Sequence, residues 1–262
     1  IRLALHHNGT EQEVDEYTEM AKKVVNEQIA VFGEPPAYDF GSYIFIADYL
    51  PYVYGDGMEH RNSTILTSRR SLEEGALRNL YTLSHEYFHG WNVERIRPQS
   101  LKPFAFQEAN MSGSLWFAEG FTSYYDDLII RRTELIDNKE YGEGLAGTLN
   151  YVLNSPGSQF YNPVEMSMQA PFVDAATSVD DQNKENTFIS YYSWGAVIGL
   201  GLDLKLRSEF EDITLDDYMR SLWYKFGKPE KPYRLEGLKQ TLAEVTDSLA
   251  FAEDFFNRHI YS

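Results

Sequence analysis

The stretch SLEEGALRNLYTLSHEYFHGW, residues 71–91, constrains the fold more than any other part of the chain. Ser71 followed three residues later by Glu74 forms the pattern of a capping box, which predicts a helix running from there to about Trp91. Leu77, Leu80, Ser84, Phe88 and Trp91 recur at helical spacing and make an apolar side. His85, Glu86 and His89 fall together on another face. A fold that accepts this segment must bury one side of the helix and keep the other available for chemistry.

On such a helix His85 and His89 stand four apart, so both imidazoles can reach one ion. Glu86, one position on, points at the remaining coordination position, where a carboxylate can take a proton from water. A pair of histidines four apart can also arise by coincidence. Here it lies mid-helix beside predicted strands, as the metal pattern requires. Zinc needs a third protein ligand. The longer pattern H-E-x-x-H-x-x-G-x-x-H is excluded, because Asn92 and Arg95 stand where Gly and His are needed. The downstream candidates are Glu94 near the end of the same helix, Glu108 in a proline-flanked loop, and Glu119 in SLWFAEGFTSYYDDL. A carboxylate set among Trp116, Phe117 and Phe121 is costly to bury unless paired or metal-bound. This selects Glu119, and with it one Zn2+ per chain.

Elsewhere the pattern is that of an α+β chain. Residues 11–31 repeat apolar side chains at helical spacing (Val14, Tyr17, Ala21, Val24, Val25), and GEPPAYDFG breaks them off. YIFIADYL and STILTS read as buried strands, with PYVYGDGMEHRN between them as a polar, glycine-bearing loop. Helices are predicted over about 115–132, 141–154, 187–207, 214–225, 234–246 and 249–259. Strands early and helices late suggest a sheet lobe over about 1–70 and a helical lobe over about 71–262.

Composition narrows the function classes. A formal charge of -17 argues against nucleic acid, whose binding rests on clustered Lys and Arg, and disfavours anionic membranes. No run of apolar residues is long enough for membrane insertion. The absence of cysteine excludes disulfides, thiolate metal sites and a Cys nucleophile. The chain opens at Ile1 with neither a Met nor a signal-peptide pattern, which reads as a piece of a longer protein.

HEYFHGWNVERIRP, WFAEGFTSYY and GMEHRNST together resemble the glycyl aminopeptidase family of bacterial zinc peptidases. That family is related to aminopeptidase N and has a thermolysin-like (gluzincin) catalytic domain. The resemblance implies His85, His89 and Glu119 as zinc ligands and Glu86 as general base. It implies Glu59 in GDGMEH as the residue that holds the substrate's free α-amine, with Gly57 and Met58 beside it at the substrate. SYYSWGAVIGLGLDL is similar to the family's Tyr-x-x-Gly segment, which makes Tyr192 the oxyanion-steadying tyrosine. The implied activity is removal of an amino-terminal residue, preferably a small one such as Gly or Ala; the compartment, bacterial cytoplasm or periplasm, is not set by the sequence. A zinc endopeptidase of the same fold and a non-catalytic binding protein are the rival readings. Two departures stand out. Glu94 takes the place of a basic residue, and the flanking β-rich and PDZ domains of such relatives are missing, with LALHHNG looking like the exit of the former. The implied partners are peptides with a free amino terminus and the flanking domains of the chain's own longer protein.

Overall fold

The computed structural model describes residues 1–173 and 184–262, a mixed α+β chain with one small sheet and a mainly helical body. Two compact units divide it: residues 1–94 with 125–141, and residues 95–124 with 142–262. The third helix, α3 (Leu115–Arg132), passes from the second unit into the first.

The first unit is built on four strands, β1 (Arg2–His7), β2 (Ile44–Tyr49), β3 (Asp56–His60) and β4 (Ser63–Ser68), in the order β1-β2-β4-β3. β1, β2 and β4 are parallel, and β3 returns antiparallel on β4. The parallel step from β1 to β2 is made by helix α1 (Glu11–Phe32), as a parallel pair requires a crossover. Thr10 and Glu13 cap α1 reciprocally, and Gly33 ends it at φ 84°, where only glycine sits without strain. Alternation sends Phe45, Ala47 and Tyr49 of β2, and Thr64, Leu66 and Ser68 of β4, to the buried face. Register then sets two rows across that face, Phe45–Thr64–Glu59 and Ala47–Leu66–Gly57.

Helix α2 (Leu72–Phe88) follows β4, capped at Ser71 and bent at Gly75. Its core side holds Leu80, Leu83, Tyr87 and Phe88, with Trp91 just beyond, while Leu77 is only half-buried. Phe32 stacks on Trp91 at 4.7 Å, and Phe88 on Tyr125 of α3 at 4.7 Å. Buried Gln28 of α1 donates to the Ser84 carbonyl at 2.7 Å, tying α1 to the middle of α2.

Two expectations are corrected here. Residues 51–62, expected as a loop, contain β3. Its DGMEH sequence lacks apolar alternation because it is an edge strand, with Asp56, Met58 and His60 exposed on one side. The helix expected to reach Trp91 ends at Phe88, with residues 89–94 continuing in turns closed on the Phe88 and His89 carbonyls.

The second unit is helical. Besides the start of α3 it holds most of α4 (Asn138–Asn154), the short α5 (Pro163–Met168), α6 (Ala170–Val173) and α7 (Lys184–Thr187), then α8 (Tyr191–Glu209), α9 (Leu215–Leu222), α10 (Leu235–Thr246) and α11 (Leu249–His259). The expected helix over 187–207 is therefore α8 alone, preceded by a break at Phe188–Ser190. Trp116, Phe117, Leu202, Leu206, Tyr218, Leu222, Leu238 and Phe256 form its core. Buried Asp203 accepts from the Tyr124 hydroxyl at 2.8 Å, the Arg207 Nε at 3.0 Å and the Leu215 amide at 3.0 Å. A buried carboxylate with three donors is stabilised rather than stranded, and it fixes α3, α8 and α9 together.

Candidate metal centre

His85, Glu86 and His89 lie at the C-terminal end of α2, where the 3.6-residue period turns the two imidazoles to one side. Each ring commits its Nδ1. That of His85 lies 2.8 Å from Asp126 Oδ2 on α3, and that of His89 donates to the Asn92 carbonyl at 2.6 Å. The acceptors fix the tautomer, so the nitrogen that each ring would present to a cation is Nε2. Among the described residues, His85, His89 and Glu119 offer ligand atoms within 4.8 Å of one another. Two imidazoles of settled tautomer and one carboxylate suit zinc, and they include no thiolate or hard-oxygen set.

Glu86 is buried, and its carboxylate comes within 4.8 Å of ligand atoms of Glu59 and His89. Glu59 reaches it from the inward row of β3. Gly57, two positions earlier on the same face, packs directly on this carboxylate. A Cβ there would overlap Glu86 Oε1 and come within 2.7 Å of Thr82 Cγ2. The Met58 side chain projects from the opposite face of β3 and is 56% exposed. Two carboxylates so close together favour a cation between them. The Tyr43 hydroxyl lies buried nearby without a hydrogen-bond partner among the described residues, and burial, then the Glu86 charge, push its phenol well above the ordinary tyrosine range.

Behind His85, Asp126 and Asp127 are adjacent acids in a poorly solvated place. Burial raises the Asp126 carboxyl, and its hydrogen bond with His85 opposes the rise. Burial, and then the charge of Asp126, push Asp127 up to about 7.

In the second unit Glu119 is half-buried on α3, and Tyr192 sits in the first turn of α8, 36% exposed. The two helices touch through Gly120 and Gly195, backbone against backbone. A Cβ on Gly120 would come within 2.6 Å of the Gly195 carbonyl carbon, and a Cβ on Gly195 would overlap the Trp116 carbonyl. Glu119 immediately precedes the first glycine, and Tyr192 stands three residues before the second, so this crossing sets where both side chains start. Of the other carboxylates weighed from the sequence, Glu108 is exposed in the segment after Pro98, and Glu94 is half-buried in the turns after α2.

Sequence reasoning passed over Asn92, which acts through its backbone carbonyl and leaves no trace in residue type. It also passed over Gly120 and Gly195 as a contact, although Gly195 stood in the Tyr-x-x-Gly segment.

Residues 78–198 match the M61 glycyl aminopeptidase family. Among curated proteins none matches the chain. Among solved structures, an aminopeptidase N family protein from Idiomarina loihiensis is similar over 99% of this chain, at 30% identity and a TM-score of 0.84. The chain spans 44% of that protein's length.

Proposed function

We propose, from the match of residues 78–198 to the M61 glycyl aminopeptidase family, that the chain is a zinc-dependent aminopeptidase with a thermolysin-like (gluzincin) catalytic domain. Its substrates are peptides with a free amino terminus, and small first residues such as Gly or Ala are preferred. The observation that carries the reading is the convergence of His85, His89 and Glu119 ligand atoms within 4.8 Å, with both His Nδ1 atoms committed elsewhere.

His85, His89 and Glu119 would hold the metal. When bound, zinc supplies Lewis acidity and lowers the pKa of a water molecule from its bulk value to about 7. Glu86 accepts the proton of the attacking water and returns it to the leaving amine, a role typically worth about 10²- to 10⁴-fold in rate. Tyr192 donates its phenolic hydrogen bond to the oxyanion that forms at the scissile carbonyl, a contribution of roughly 3 kcal/mol. Glu59 pairs with the substrate ammonium and so sets the cut one residue from the amino terminus. Asp126 orients the His85 ring, and Gly57 keeps β3 close enough to α2 for Glu59 and Glu86 to share one site.

The decisive experiment compares a glycyl chromogenic amide with its N-acetylated twin on zinc-loaded protein. Cleavage of the free amine alone supports the aminopeptidase. Equal or faster cleavage of the blocked form replaces it with an endopeptidase, and zinc binding without cleavage of either leaves a binding protein.

A further inference from the structure

Helix α8 carries Tyr192 in its first turn and does not cap itself there. Ser190 stands at the N-cap without a side-chain hydrogen bond, and the first turn holds no acidic residue. A helix start of this kind lacks the usual local partners for its amides. It is fastened from another helix instead. The Ser190 amide donates to the Tyr151 hydroxyl of α4 at 3.1 Å.

Two further contacts hold the residues that lead into α8. Gly157, buried in the short turn Pro156–Gln159, packs on them backbone to backbone. A Cβ on Gly157 would come within 2.9 Å of the Thr187 oxygen and of the Phe188 carbonyl carbon. Val152, next to Tyr151, and Ile189, next to Ser190, belong to one small buried cluster with Met166. Trp194 and Val197 of α8 pack against it. All of these residues lie in the second unit.

Tyr192 therefore starts from a backbone fixed on both sides. Three residues after it, Gly195 lies against the Trp116 carbonyl with no room for a Cβ. Two residues before it, Ser190 is tied to α4. The Tyr192 ring meets that of buried Tyr191 at 5.0 Å, and the same first turn carries both. Tyr192 itself is partly exposed, so the backbone beneath it does much of the positioning.

Of these contacts, that of Tyr151 is the one not explained by packing. Its side chain is 42% exposed and borders a pocket of about 590 Å³ together with Asn154, Phe188 and Lys184. Little core volume depends on its hydroxyl, which makes no other hydrogen bond with a described residue. We propose that Tyr151 is a positioning residue for Tyr192: through the Ser190 amide it fixes the first turn of α8, and with it the phenol that donates to the oxyanion. The proposal rests on the aminopeptidase reading above. The oxyanion exists only past the ground state, so a displaced Tyr192 is read in kcat rather than in KM.

The test is a double-variant cycle on zinc-loaded protein with a glycyl chromogenic amide. Tyr151→Phe keeps the ring and removes only the acceptor. It is expected to lower kcat by about 3- to 10-fold, the factor one lost neutral hydrogen bond corresponds to, with KM within about twofold. Tyr192→Phe alone is expected to lower kcat by about 100-fold. In the Tyr192→Phe protein, adding Tyr151→Phe should change kcat no further, because the two side chains act as one unit. Calorimetry with a phosphinic analogue of Gly-Ala, whose tetrahedral oxygens stand in for the oxyanion, should show Tyr151→Phe weakened by the same factor. A Tyr151 that serves stability alone would lower Tm and leave kcat and analogue affinity untouched. Unchanged kcat and analogue affinity in Tyr151→Phe, or an equal loss with and without the Tyr192 hydroxyl, overturns the positioning role. A loss of kcat in Tyr192→Phe but none in Tyr151→Phe leaves the aminopeptidase standing without it. A silent Tyr192→Phe removes the oxyanion role of Tyr192 and the positioning role together. If the parent turns nothing over, the aminopeptidase reading fails and analogue binding decides: weaker in Tyr151→Phe supports the positioning role, and equal to the parent sinks it.

Discussion

Gly57 and Glu86 lie so close that a methyl group at position 57 would occupy the space of the Glu86 carboxylate. The edge strand and the α2 helix are therefore spaced by an absent side chain. Gly57→Ala is expected to displace Glu86 or push β3 outward, lowering kcat/KM by about 100-fold, since misplacement of a reacting group by about 1 Å costs that much. Circular dichroism should show the fold retained, because β3 is an edge strand. A Gly57→Ala protein with unchanged kcat/KM would mean that Glu86 does not need its present position.

Asp126 holds His85 through a 2.8 Å contact. Asp126→Asn is expected to weaken zinc binding by about 10- to 100-fold, as loss of such partners does. Competition against a chromogenic chelator measures it. Zinc affinity equal to that of the parent would show that His85 is oriented by other contacts.

Asp127 carries a pH signature of its own. Its folded value of about 7 lies above the unfolded carboxylate value of about 3.9, so ionising it costs folding free energy. The cost is absent below about pH 4, grows between 4 and 7, and is complete above 7. Asp127→Asn should therefore raise Tm clearly at pH 8 and change it little at pH 4.5. Equal shifts at both values would remove the burial argument.

Gly195 faces the Trp116 carbonyl with no room for a Cβ, and the obstruction is backbone, which cannot rotate away. Gly195→Ala is expected to cost about 1–3 kcal/mol by overpacking, a fall in Tm of several degrees for a chain of this size. Differential scanning calorimetry reads it directly. A neutral Gly195→Ala would mean that α8 can slide on α3.

Much of this was legible in the residues. The α2 cap at Ser71 and the spacing of His85, Glu86 and His89 foretold a helix with one chemical face, and the aromatic surroundings of Glu119 marked its helix, Leu115–Arg132, with matching bounds. Strands β2 and β4 announced themselves because they are buried on at least one face and rich in Ile, Phe and Thr. β3 did not, since an edge strand with an exposed side gains little from apolar alternation, and DGMEH reads as a turn. The division between the Asp126 and Asp127 roles was equally hidden, because neighbouring acids differ only in which way the helix turns them. The bend of α2 at Gly75 is likewise a backbone angle that residue type alone did not announce.

The two histidines keep their tautomers by different means, and this makes them unequal in inheritance. A single nucleotide change can strip His85 of its orienting group, because that group is the side chain of Asp126. No substitution at position 92 can do the same to His89, because its acceptor is a main-chain oxygen that every residue type possesses. Mutational drift can thus erode this centre from the Asp126 side one codon at a time, while the His89 side yields only if the turn over residues 89–92 is itself rebuilt.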